Sequence, residues 1–293
     1  MEYSIDEWVA GATKDRIVFR QAVHIVLSAI AGSEYLRPKM VMKGGMLLGI
    51  RYKSSRFTED IDFSTKMKLS ELDESEFTKE LNEALLISSE ELPYGVSCAV
   101  QSLVVQPKKN YENATFPSFN LKIGYARKSS QGEMERLERG QCPNTIKIDY
   151  SFNELSFDID HVVLEDGGVE AYSITDLISE KIRSIIQQPY RNRNRRQDVY
   201  DLNYLLGCVK LDEDEMFSIL HSLILKSKGR IPDGDVNIHT LDRDDIKERS
   251  GADYETLRAE VADPIPNFEE AYNTVNDFYK SLPWDKVNPV GDI

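Results

Sequence analysis

Between residues 97 and 164 the chain repeatedly alternates apolar and polar side chains, and from Ser173 onward that period of two gives way to apolar positions three and four apart. A period of two places successive side chains on opposite faces of a strand, whereas three-and-four spacing lines one face of a helix. This order of patterns predicts a mixed α/β (α+β) fold with a β-sheet core first and a helical region after it. Strands are expected at 60–64, 97–105, 118–125, 145–152 and 157–164. Helices are expected at 15–30, 74–87, 197–206, 213–226 and 268–282, and from Ser173 to about 188, where Pro189 stops the helix. Ser173-Ile-Thr-Asp176 reads as a capping box with Asp in the Glu position. Residues 127–140 are polar and read as a loop or a short exposed helix, and no internal repeat is seen. The join is expected near 165–169 (EDGGV), giving domains at 1–168 and 169–293.

A chain of 293 residues can bury a substantial core. Its 36 Lys and Arg against 50 Asp and Glu leave a formal charge of -14, which disfavours constitutive coating of nucleic acid or an anionic membrane. A local basic surface could reverse that average. Cys98, Cys142 and Cys208 are scattered and odd in number, which fits a reducing cytosol. The first residues are acidic and polar, unlike a secretory signal. The apolar stretch at 22–31 is broken by His24 and Ser28 and is too short to span a bilayer. A cytoplasmic protein without a membrane partner is expected.

The chemistry concentrates in 41–63, VMKGGMLLGIRYKSSRFTEDIDF. Gly44-Gly45 permits a tight turn whose backbone N–H groups can face an anion without Cβ obstruction. In the strand that follows, Asp60 and Asp62 share a face roughly 6 to 7 Å apart while Ile61 and Phe63 face the core. Carboxylates at that spacing can share two Mg²⁺ ions about 4 Å apart, an arrangement that activates an attacking oxygen and stabilises a leaving pyrophosphate. Asp149, on the polar face of the strand TIKIDY, is the natural third carboxylate. A lone D-x-D is weak evidence: Asp158-Ile-Asp160 repeats it without a glycine turn at the right distance, and it is read as structural.

With those residues assembled, the chain resembles the nucleotidyltransferase superfamily and, more closely, the AbiEii/AbiGii toxin family. The resemblance rests on Lys43-Gly44-Gly45, on Arg56-Phe-Thr-Glu-Asp60-Ile-Asp62-Phe63, on Glu180-Lys181 and on Arg195-Arg-Gln-Asp198-Val-Tyr-Asp201-Leu202. Thr58 replaces the usual Ser and keeps the hydroxyl, Gly45 stands where the wider superfamily has Ser, and Gln197 takes a place that is often basic. These motifs cover roughly residues 40 to 206, and the last eighty or so carry none. The resemblance implies a nucleotidyltransferase-like mixed sheet with metal-binding Asp60, Asp62 and Asp149, followed by a helical domain whose Lys181 and Asp198 face the cleft. Lys181 would supply a cation for the triphosphate, and Asp198 a base for the acceptor hydroxyl. Lys43, Gly44, Gly45, Arg56 and Lys181 are the expected nucleotide contacts. Arg56 could equally brace the Asp60 segment, and Asp201 is read as a helix stabiliser or ion-pair partner.

The implied activity is Mg²⁺-dependent (with Mn²⁺ as a substitute) transfer of NMP from an NTP to an acceptor hydroxyl, best a tRNA 3′ end. The implied setting is the toxin of a toxin–antitoxin or phage-defence (abortive infection) pair. Direct contact with the antitoxin stays open. Transfer to a small molecule or protein hydroxyl, or a catalytically silent nucleotide-binding regulator, are the alternatives. The segment 181–197 carries Lys181, Arg183, Arg191, Arg193, Arg195 and Arg196 and no acidic residue. It can serve as an RNA footprint or bind the chain's own acidic surface, and the residues alone do not choose.

Overall fold

The computed structural model describes residues 4–164 and 167–287. Glu165 and Asp166, which begin the expected join, lie outside the described residues, as does the extreme N-terminus. Chain contacts separate two compact units. The first comprises 1–53 and 58–172, and the second 54–57 and 173–293.

The first unit opens with helices α1 (Ile5–Ala10) and α2 (Ile17–Gly32). Strand β1 (Val41–Lys43) then runs straight into α3 (Gly44–Tyr52). There follow β2 (Asp60–Ser64), α4 (Glu74–Glu91), β3 (Val96–Gln106), β4 (Ser118–Arg127), α5 (Gln131–Glu138), β5 (Thr145–Ser151), β6 (Ile159–Leu164) and β7 (Gly167–Tyr172). The seven strands form one mixed sheet in the order β3-β4-β5-β2-β1-β7-β6. Strand β2 is central, antiparallel to β1 and parallel to β5.

One face of this sheet is apolar because every second residue is. Ile61, Phe63, Phe119, Leu121, Ile123, Ile146, Ile148 and Tyr150 are all buried. Phe77 from α4 stacks on Tyr150 at 5.7 Å between ring centroids, and Phe119 and Phe152 meet edge to face at 4.9 Å. Aromatic contacts of this kind add about 0.5–1.5 kcal/mol each beyond the area they bury. The helices α2 and α4 pack against each other and α4 packs on β3, so the apolar face is covered.

Four elements of this unit, α1, β1, α3 and β7, were not among those expected, and two of them show why. The Gly44-Gly45 turn is a strand-to-helix junction, and the helix it opens, α3, was not foreseen. Met46, Leu47, Leu48, Gly49 and Ile50 are all buried, so α3 shows no polar stripe from which a helical period could be read. Strand β7 was also not foreseen, because two glycines lead it and weaken its strand signature.

The second unit is helical, with α6 (Ile174–Ile186), α7 (Gln188–Arg191), α8 (Arg196–Cys208), α9 (Glu213–Ser227), α10 (Asp244–Gly251) and α11 (Phe268–Ser281). Helix α6 packs on α8 and α9. Ser173 caps it by accepting from the Asp176 N–H at 3.2 Å. The expected capping box is only half formed, because the Asp176 carboxylate turns to Lys226 at 3.0 Å and accepts from the Ser222 hydroxyl. The short segment 54–57 joins this unit through Phe57, whose N–H donates to the Glu260 carbonyl at 2.7 Å, and through an Arg56–Val261 bridge.

Candidate active site

In the first unit, strand register assembles a polar row across the open face of the sheet. Lys43 pairs opposite Asp62 across β1 and β2, Asp62 opposite Asp149 across β2 and β5, and Asn120 opposite Asp149 across β4 and β5. A second row, one pleat away, holds Asp60, Lys147 and Lys122. Directly opposed residues have Cβ atoms about 4.5–5.5 Å apart, within reach of one small ligand. The Asp60, Asp62 and Asp149 of the expected site therefore share one face of the two neighbouring strands β2 and β5.

Gly44 is fixed by this arrangement. Its φ is +77°, and a Cβ there would lie 2.0 Å from Asp62 Oδ2 and 2.9 Å from the Asp62 Cβ. Only glycine accommodates both the backbone conformation and the carboxylate resting against it. Because α3 begins at this residue, the first N–H groups of α3 lack intrahelical acceptors beside Asp62.

Asp149 reaches solvent, yet surrounding protein desolvates its carboxyl and raises its pKa; Lys43 and a hydrogen bond from Ser118 oppose that rise, while Asp60 and Glu154 add to it. The carboxylates thus repel one another in a partly desolvated place, which a cation would relieve. Glu154, buried and 3.8 Å from Lys43 Nζ, was missed by the sequence reading because it sits in an irregular segment after β5. Asp60 lies 3.6 Å from the exposed Lys147. Among the described residues, no three acidic, His or Cys side chains converge as a ready-made metal cluster. A cavity of about 500 Å³ in this unit, lined by Lys68, Leu72, Tyr111, Thr115, Phe119 and Asn153 among others, includes none of the expected site residues. The second D-x-D is structural, with Asp160 Oδ2 2.7 Å from Arg51.

The remaining expected residues form a separate group wholly within the second unit. Asp198 and Asp201 are three apart on α8 and so share a face. Lys181 Nζ donates to Asp198 Oδ1 at 3.1 Å and to Asp201 Oδ2 at 2.7 Å. Arg56 Nε and Nη2 donate to the two Asp201 oxygens at 2.7 and 2.8 Å. The Arg56 guanidinium thus braces Asp201, a partner that neither reading of it from the sequence named. Asp201 is fully buried; burial by itself would raise its pKa, but Lys181 and Arg56 hold it below the usual carboxylate range. Lys181, 6% exposed, is opposed by burial yet raised overall by the same two carboxylates. Asp198 differs from Asp201: its Oδ2 is buried, has no hydrogen bond, and has Arg195 Nε 3.9 Å away.

Residues 25–274 match the family described as the nucleotidyl transferase AbiEii toxin of type IV toxin–antitoxin systems. The chain belongs to the AbiEii family. It is accordingly a nucleotidyltransferase and the toxin member of a pair that includes an antitoxin. Among solved structures, JHP933 from Helicobacter pylori matches with a TM-score of 0.51 and 16% identity over 93% of each chain, a likeness of fold. A second H. pylori protein, provisionally described as a nucleotidyltransferase, has a TM-score of 0.48 and 14% identity over 92% of this chain and 96% of its own. No curated protein matches. No helix among the described residues of this AbiEii member is long and apolar enough to cross a membrane.

Proposed function

We propose that this chain moves NMP from an NTP to the 3′ hydroxyl of a tRNA, with Mg²⁺ at Asp60, Asp62 and Asp149. The observation that carries the reading is the Lys43–Asp62–Asp149 row, with Asp60 beside it and Gly44 left without a side chain against Asp62. The donor set is all carboxylate oxygen, which suits a hard cation. Mg²⁺ keeps several waters and takes one or two carboxylates together with substrate phosphates, so three converged protein ligands are not required. When bound, the cation neutralises phosphate charge and favours ionisation of the acceptor oxygen.

The chain's own groups take the remaining work. The unsatisfied N–H groups at the start of α3, beginning at Gly44-Gly45, offer a seat for phosphate oxygens. Lys43 contributes positive charge next to the carboxylates. Lys181 has three donors and uses two on Asp198 and Asp201, leaving one for the triphosphate role that the resemblance implies. Arg56 acts through Asp201 and is a positioning residue. Asp198 Oδ2, buried without a hydrogen bond, accepts the proton of the acceptor hydroxyl in this scheme. The acceptor oxygen bonds to the α-phosphorus, the bond from that phosphorus to the β-phosphate bridging oxygen breaks, and pyrophosphate leaves.

The test is incubation of purified protein with each labelled NTP, Mg²⁺ and total tRNA. Label should pass to tRNA, stop with EDTA, return with excess Mg²⁺, and be absent in Asp60→Ala. Label passing only to a protein or small molecule would overturn the tRNA assignment, and retained transfer in Asp60→Ala would overturn the site.

A further inference from the structure

Two lysines flank the three carboxylates of the first unit, and they differ in kind. Lys147 is exposed and stands 3.6 Å from the comparably exposed Asp60, so water screens that pair. Lys43 is 8% exposed and stands opposite Asp62 across β1 and β2, with Asp62 in turn opposite Asp149. An ammonium buried beside the carboxylates that a divalent cation needs competes with that cation, because it neutralises them first.

Glu154 bears on this competition. Its carboxylate, 6% exposed, lies 3.8 Å from Lys43 Nζ. The segment that carries it is irregular but pinned. The Glu154 N–H donates to the Thr65 carbonyl at 2.9 Å, directly after the strand that bears Asp60 and Asp62. The preceding Asn153 is in the left-handed region at φ 58°. Its N–H donates to the Met67 carbonyl at 2.9 Å, and its Nδ2 to the Thr115 carbonyl at 2.9 Å. Burial raises the Asp149 pKa, Lys43 opposes the rise and Glu154 adds to it, so both charges are felt at the same carboxyl. Lys43 therefore divides its charge between a buried glutamate and the carboxylates of the polar row.

We propose that Glu154 is a positioning residue of the cation site, acting through Lys43: it takes up part of the ammonium's charge, and Asp62 and Asp149 keep theirs for the divalent cation. The proposal rests on the metal reading above. Groups one step behind metal ligands commonly set affinity by about 10–100-fold. A purely structural Glu154 would only compensate a buried lysine, and its loss would cost stability with no effect on the cation.

The test reads Mn²⁺ binding to the full-length chain from the electron paramagnetic resonance signal of the free ion. It is run without nucleotide and with an NTP analogue that cannot release pyrophosphate, after subtraction of the ion bound by the analogue alone. Glu154→Gln leaves Lys43 to Asp62 and Asp149 and should weaken Mn²⁺ binding about tenfold or more. Lys43→Met removes the competing ammonium, and on that background Glu154→Gln should change Mn²⁺ binding by about threefold or less. Glu154→Asp keeps the charge but withdraws it by one methylene; it should weaken binding by about threefold, and it carries the comparison if Glu154→Gln does not fold. Circular dichroism melting establishes that each variant compared is folded. Unchanged Mn²⁺ affinity in folded Glu154 variants would leave Glu154 a structural role and overturn the proposal. Equal weakening by Glu154→Gln with and without Lys43 would show a direct effect on the cation and overturn the route through Lys43. A native chain that binds no Mn²⁺, or binds it as well after Asp60→Ala, would overturn the metal reading together with this one.

Discussion

Replacing Asp201 by Asn tests the buried group in the second unit most directly. The group holds two cations, Arg56 and Lys181, against two carboxylates, Asp198 and Asp201. Three of its four charged hydrogen bonds end on Asp201. An amide can keep its oxygen toward Lys181 and Arg56 Nη2, but its NH₂ then faces Arg56 Nε, which also donates. One charge-assisted bond is lost at about 1.5–3 kcal/mol, and a buried positive charge is left without a counter-ion. Breaking one side of a buried pair costs about 3–5 kcal/mol in total. At about 2–4 °C per kcal/mol for a large chain, melting should fall by roughly 10 °C by circular dichroism. The pH dependence has a definite sign. The folded pKa of Asp201 lies below its unfolded value of about 3.9, so its stabilisation is present above that pH and is lost as pH falls through the folded value. The gap between native chain and Asp201→Asn should be flat near neutrality and close in acid. Adding Arg56→Met restores charge balance, leaving Lys181 against Asp198, and should recover at least half of the loss. A single-variant cost under about 1 kcal/mol, or a double variant as unstable as the sum of the singles, would refute the reasoning.

Two further outcomes follow from the same geometry. Gly44→Ala must move Asp62 and adopt a positive φ that costs about 1–2 kcal/mol, so transfer should collapse while the fold survives; native kcat in a folded Gly44→Ala protein would count against Asp62 as a site residue. Asp198→Asn removes a carboxylate that accepts only one of the four charged bonds, so urea denaturation should show a smaller loss than Asp201→Asn, whereas single-turnover transfer should fall by about 10²-fold or more.

Much of the first unit was legible because strands that cover a helical layer on one side alternate cleanly. Ile61 and Phe63, then Ile146, Ile148 and Tyr150, announced β2 and β5 and the opposite orientation of Asp60, Asp62 and Asp149. The register that sets Asp62 opposite Asp149 was not legible, since parallel pairing joins segments far apart in sequence and leaves no local signature. Helix α3 was hidden for the opposite reason: its long buried run erased the polar face that betrays a helix. The Arg56–Asp201 pair spans 145 residues, and nothing near either residue identifies the other. Glu154 carries no pattern at all, being an acid in an irregular segment that burial beside Lys43 makes consequential.

The motif containing Asp198 and Asp201 therefore holds two carboxylates with different hydrogen bonding only one helical turn apart. Asp201 accepts three donors from two cations and is held ionised, so it has little affinity for a proton. Asp198 shares one oxygen with Lys181 and keeps the other buried with no hydrogen bond. An unmet acceptor in a buried place costs free energy, commonly about 1–3 kcal/mol, which structure-only residues avoid by turning or by recruiting a donor. The i, i+3 spacing presents Asp198 and Asp201 to the same Lys181, which holds the Asp198 carboxylate by its first oxygen, while Arg195 Nε stands 3.9 Å from the second. Asp201 is saturated by two cations while Asp198 Oδ2 keeps an unused acceptor, so of the two carboxylates it is Asp198 that an added donor would stabilise.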